Sequence, residues 1–142
     1  MATLFTRIIE GEIPGRFVWR DDRAVAFLTI APITLGHTLV VPIAEVDHWI
    51  DLDAGLAAHL MVVGRDVGRA MQAAFRPVRV GMIIAGLEVP HTHLHLVPID
   101  SEADLSFSKA DPDPDPVALD DAADRLRAAL REQGHGDRVP GA

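Results

Sequence analysis

A chain of 142 residues with a formal net charge of −8 is long enough for one domain with a sizeable core, and too acidic to carry the basic footprint of a nucleic-acid or anionic-membrane binder. It contains no cysteine, which excludes disulfides and thiolate metal sites and suits a reducing compartment. Arg7, Glu10 and Glu12 interrupt the N-terminal apolar residues, so no signal peptide is read there. No apolar run reaches the ~20 residues of a membrane span, and the expectation is a cytoplasmic protein with no nucleic-acid or membrane partner.

Leu4, Phe5, Ile8 and Ile9 have helical spacing, with Gly11 as the stop. Phe17–Arg20 and Ala24–Leu28 read as short strands joined by a turn at Asp21-Asp22-Arg23. After turns at Ala31-Pro32 and Gly36, His37–Val41 is a β-branched strand closed by Pro42. Asp53 is an N-cap for a long helix whose apolar positions, Leu56, Leu60, Val63, Val67, Ala70 and Ala74, recur every three or four residues until Pro77. Val78–Ile84 is the next strand, and residues 92–98 the last. The fold class is α+β: a mostly antiparallel five-stranded sheet with a long helix and N- and C-terminal helices. Residues 1–103 read as the folded domain, 104–116 as an Asp/Pro-rich linker, and 117–142 as an appended C-terminal helix with a frayed tail. That helix starts at Asp115-Pro116, carries Leu119, Ala123, Leu126 and Leu130 on one stripe, and stops near Gly134.

The chemistry sits in His91-Thr92-His93-Leu94-His95-Leu96-Val97-Pro98. On a strand the three imidazoles share one face, with neighbours about 6.6 Å apart, while Thr92, Leu94 and Leu96 face the core. Crowding three imidazoles costs desolvation and mutual repulsion on protonation, which a purely structural role does not require. Two chemistries suit the row: metal binding, and nucleophilic attack on phosphorus with neighbouring imidazoles handling phosphate and protons. A metal site would need a further ligand, and none stands out nearby. His48, His59 and His135 have no evident partner, and His59 reads as solvated on the long helix.

This run resembles the signature of the histidine triad (HIT) family, three histidines alternating with apolar residues, with Thr92 as the weak match. Phe5-Thr6-Arg7-Ile8-Ile9-Glu10-Gly11-Glu12-Ile13-Pro14 resembles the family's opening segment. Ala26-Phe27-Leu28-Thr29-Ile30-Ala31-Pro32 and Gly36-His37-Thr38-Leu39-Val40-Val41-Pro42 resemble its central strands, so the likeness covers roughly residues 3–100. The resemblance implies a homodimer that extends its sheet, binds a nucleotide or nucleotide conjugate, and cuts at the α-phosphate without metal or cofactor. His93 would be the nucleophile, His95 a phosphate contact, and His91 a group near the leaving group. His37 would orient the nucleophile. Phe5, Ile8, Phe27, Ile30 and Leu39 would line the base pocket.

Four departures from the family pattern stand out. Thr29 stands where a carboxylate commonly accepts bonds from the ribose hydroxyls, and a neutral hydroxyl makes weaker contacts. Leu87 replaces a Gln of the phosphate loop, and Glu88 replaces a small hydroxyl residue, placing negative charge where a phosphate is expected. Thr3, Thr6 and Glu45 occupy positions where many bacterial relatives hold a structural zinc, which is expected to be absent. The reading is a HIT-type nucleotide hydrolase or nucleotidyl transferase. Its alternatives are a non-catalytic nucleotide or phosphate-binding module of the same fold, and a metal-dependent hydrolase using the histidine row.

Overall fold

The computed structural model describes residues 1–141; Ala142, the end of the tail expected to fray, lies outside them. Helix α1 (Leu4–Ile9) starts at Thr3, whose side chain accepts from the Thr6 amide. Strands β1 (Phe17–Arg20), β2 (Ala24–Leu28), β3 (Thr38–Pro42), β4 (Arg79–Ile83) and β5 (Leu94–Ile99) form one antiparallel sheet in the order β1-β2-β3-β5-β4. Helix α2 (Ala54–Phe75) is capped by Asp53, and helix α3 (Pro116–Glu132) by Asp115.

Period-two alternation gives the central strands β2, β3 and β5 two buried faces. Ala24, Ala26 and Leu28 of β2, Val40 of β3, and Leu94 and Leu96 of β5 join the large cluster beneath α2 and α3. Val25, Phe27, Leu39 and Val41 face the other way, onto Phe5 and Ile8 of α1. The alanines let two helices approach one face closely, where larger side chains would overpack it.

Three expectations change. β5 begins at Leu94, so His91 and His93 precede the strand. The β3–β5 ladder ends at Val40↔Leu94, and two residues on Pro42 has no N–H to continue it. Thr92 therefore turns its N–H and hydroxyl to the Val46 carbonyl, at 2.7 and 2.8 Å, instead of joining the apolar core. Second, α3 is packed rather than peripheral: Leu119, Ala122, Ala123, Leu126, Ala129 and Leu130 enter the large cluster, and Val139 of the tail joins them. Third, His59 is not free in solvent; it bonds Asp21 at 2.8 Å, and Asp21 also accepts from Trp19 and the Arg23 and Ala24 amides.

Candidate active site

One row of the sheet, Phe17↔Phe27↔Leu39↔His95↔Ile83, runs beneath the site. Above it, α1 contributes Phe5, whose ring meets Phe27 at 5.7 Å and His93 at 4.8 Å, both edge to face. The space between is a cavity of about 590 Å³, lined by Phe5, Ile8, Phe27, Thr29, Ile30, Leu39, Glu88, His93 and His95 among others. That volume lies within the range of small-ligand sites. Leu39 and Phe27 form its floor, and Ile30, 75% exposed, stands at its rim.

Hydrogen bonds assign the imidazole tautomers. The Ile33 amide donates to His37 Nδ1 at 3.0 Å, so the proton of neutral His37 sits on Nε2. That Nε2 donates to His95 Nδ1 at 2.9 Å, which leaves His95 with an Nε2–H for the cavity. His93 has the opposite arrangement. Its Nδ1 donates to the His91 carbonyl at 2.7 Å, leaving a lone pair on Nε2. No buried side-chain nitrogen or oxygen of the described residues lacks a partner, so the unbonded His93 Nε2 is solvent-accessible. The site thus pairs a nucleophilic nitrogen with a hydrogen-bond donor, on rings 4.8 Å apart.

His91 and His37 differ from their expected places. His91 is fully buried: Nε2 donates to the Pro42 carbonyl and Nδ1 accepts from the Thr3 hydroxyl, each at 2.7 Å. Both of its nitrogens are engaged and it is not among the residues that line the cavity, so it offers no free nitrogen there. It holds the loop that presents its carbonyl to His93. His37 is also buried, and its partner is His95, not His93. Gly36 places it there: φ is +101°, and a Cβ would lie 2.6 Å from the Phe75 ring.

The departures noted in the sequence have definite positions. The Thr29 hydroxyl accepts from the Ala31 amide at 3.2 Å, so it is partly used by its own turn. Leu87 is 94% exposed and points to solvent, while Glu88 is on the cavity wall. Thr3 donates its amide to Glu45 Oε1 at 2.9 Å and its hydroxyl to His91, so these groups meet as one hydrogen-bonded cluster. Sequence reasoning missed Phe107, whose ring packs against His95 at 4.9 Å, and it missed Arg16 and Asp120 on the cavity wall. Nothing in the local pattern of those three residues marks them; only the fold brings them near.

Electrostatics keep the cluster neutral. Burial, with His93 nearby, holds His37 at about 4, and burial, with His93 and His37 nearby, holds His95 at about 3. Burial also lowers His91 and His93, though Glu88 and the His91 carbonyl pull His93 partly back. Well above pH ~6.5 folded and unfolded histidines are alike neutral, and stability no longer varies with pH through them. As pH falls, the unfolded chain takes protons that His37 and His95 refuse until about 4 and about 3, so the native state loses stability. Unfolding free energy measured by urea titration is expected to fall between pH 6 and pH 4.5, by on the order of 1.4 kcal/mol per pH unit for each histidine at full effect. A flat profile across that window would mean that the cluster protonates freely in the fold.

Comparison with known proteins bears on identity at this point. Residues 10–102 match the HIT domain. An uncharacterized HIT-like protein of Borreliella burgdorferi is 33% identical over 97 residues, covering 63% of this chain and 70% of that protein. Among solved structures, a zinc-bound histidine triad family protein from Mycobacterium smegmatis is similar with a TM-score of 0.82 and 29% identity, over 96% of this chain and 98% of the other. A hypothetical histidine triad nucleotide-binding protein from Sulfolobus tokodaii has a TM-score of 0.81 and 25% identity, over 96% and 99% of the two chains. Sequence and fold agree with the cluster of imidazoles at the start of β5: this chain belongs to the histidine triad family.

Proposed function

We propose that the protein is a nucleotide hydrolase or nucleotidyl transferase that works through a covalent bond between His93 and the α-phosphate. The carrying observation is the tautomer pair, an Nε2 lone pair on His93 beside an Nε2–H on His95. In the first step His93 Nε2 bonds to phosphorus, and the leaving group departs with the electron pair of its bond. His95 donates to a non-bridging oxygen, where negative charge accumulates in the transition state. In the second step water or another acceptor bonds to phosphorus, the P–N bond breaks, and the imidazole recovers its lone pair. A proton of the attacking water passes to solvent. Aromatic and aliphatic walls hold the nucleoside meanwhile.

The donor set speaks against the metal-dependent alternative. Both nitrogens of His91 are taken and His95 presents a proton, so of the three histidines in the row His93 alone offers a nitrogen lone pair to the cavity. Among the described residues no three His, Cys, Asp or Glu side chains are grouped to hold an ion. A pure binding module would not need a neutral, solvent-accessible His93 Nε2. A homodimer also belongs to this reading: β4 is an edge strand, and Val78, next to it, is 74% exposed. No described helix is long and apolar enough to cross a membrane.

Trapping tests the mechanism. The protein is mixed with adenosine and guanosine phosphoramidates, quenched in base, digested and analysed by mass spectrometry. A nucleotidyl adduct on His93 is expected, because an N-linked phosphate survives base. Turnover with the adduct on another residue, or a folded protein that neither labels nor turns over, would refute it.

A further inference from the structure

The geometry points to Asp120, held by Arg16, as the reader of the base, and to guanine as the base it favours. The inference rests on the nucleotide reading above and adds a specificity to it. Both residues line the cavity that contains His93 and His95. Arg16 Nε donates to Asp120 Oδ1 at 2.7 Å, while a second guanidinium nitrogen reaches the Pro116 carbonyl at 3.5 Å. Asp120 lies on α3, beyond the residues 10–102 of the family match.

Their place across the sheet decides which part of a nucleotide they meet. The row His95↔Leu39↔Phe27↔Phe17 crosses three strand spacings, roughly 14 Å. Arg16 precedes Phe17, and its carbonyl accepts from the Leu28 amide at 3.1 Å. A nucleotide with its phosphate at His93 and His95 extends over Leu39 and Phe27, so its base edge arrives at β1, where the pair stands. The Asp120 charge also repels phosphate from that end, which favours this orientation.

Among the described residues Asp120 Oδ2 has no hydrogen bond, and neither does Arg16 Nη1. The pair therefore offers a charged acceptor beside a charged donor. Guanine presents a carbonyl oxygen, a ring N–H and an amino group in a row. Arg16 can donate to the first and Asp120 accept from the other two. Adenine presents one amino group and a bare ring nitrogen, which gives Asp120 a single bond. Asp120 is 66% exposed on its side chain, so water competes and holds the preference near the lower end of bidentate readout.

Calorimetric titration of the full chain with GMP, IMP and AMP tests this. GMP is expected to bind about tenfold more tightly than AMP, with IMP between them. Asp120→Asn is expected to abolish that ratio, and Arg16→Gln to reduce it. A partner on the surface of α3 with only a structural role would not move the ratio. Equal affinity for GMP and AMP, tighter AMP, or an unchanged ratio in Asp120→Asn would overturn the base assignment and leave the nucleotide reading standing. Binding of none of the three would overturn both.

Discussion

Replacing His93 by alanine is expected to lower nucleotide turnover by at least about 10⁴-fold while leaving mononucleotide affinity within a few-fold. The two effects separate because different groups carry them. In the proposed mechanism binding falls to the cavity walls, Phe5, Ile8, Phe27 and Leu39, which the substitution does not touch, although Phe5 loses the ring it meets at 4.8 Å. The proposed chemistry rests on one lone pair, made available because the His91 carbonyl holds the proton on Nδ1. His37→Phe gives the complementary result. It removes the donor to His95 Nδ1, so His95 no longer keeps its proton on the cavity side. A fall in kcat of about 10- to 100-fold with little change in KM is expected, the pattern of a lost transition-state contact. Single-turnover kinetics with a nucleoside phosphoramidate measures both variants. His93→Ala retaining turnover within tenfold of the parent would sink the nucleophile assignment, and a KM effect alone for His37→Phe would sink the tautomer chain.

How far the sequence discloses this site depends on the distance over which its parts communicate. Alternation in Ala24–Leu28, the Asp53 and Asp115 caps and the Pro77 stop are local signals, and each element formed where they point. The histidine row is local too, and it identifies the family. What the row does chemically is not local. His91 loses its freedom to Thr3, 88 positions earlier, and to the Pro42 carbonyl. The tautomer of His95 is set by the Ile33 amide through His37, a chain of bonds that no spacing encodes. Composition misled at the C-terminus. Asp111-Pro112-Asp113-Pro114-Asp115-Pro116 reads as a linker, and polar residues flank the apolar stripe that follows. The stripe alone could not reveal that the alanines of β2 leave room for a second helix beside α2.

That second helix carries the other large expected effect. Leu126→Ala is expected to cost about 2–5 kcal/mol of unfolding free energy, because Leu126 is fully buried and the cavity left behind is closed by α2 and the sheet. Against a total of roughly 5–15 kcal/mol for a typical domain, that loss is a large fraction of the whole. Backbone anchors reinforce the packing: Arg127 donates to the Phe17 carbonyl at 2.8 Å and Gln133 to the Arg69 carbonyl at 3.2 Å. Ending the chain at Asp115 would remove all of this and open the core that α3 shares with α2, β1 and β2, so the shortened chain is expected to aggregate or populate no cooperative fold. Val117→Ala is the control: Val117 is 71% exposed on the same helix, and its change is expected to stay within about 0.5 kcal/mol. Urea denaturation followed by tryptophan fluorescence checks the series, since Trp19 packs against His135 of the tail at 5.4 Å. A truncated chain with parental stability would make α3 an appendage after all. If α3 is required, the element that supplies Asp120 to the cavity is also one without which that face of the sheet stays uncovered, and fold and specificity share one helix.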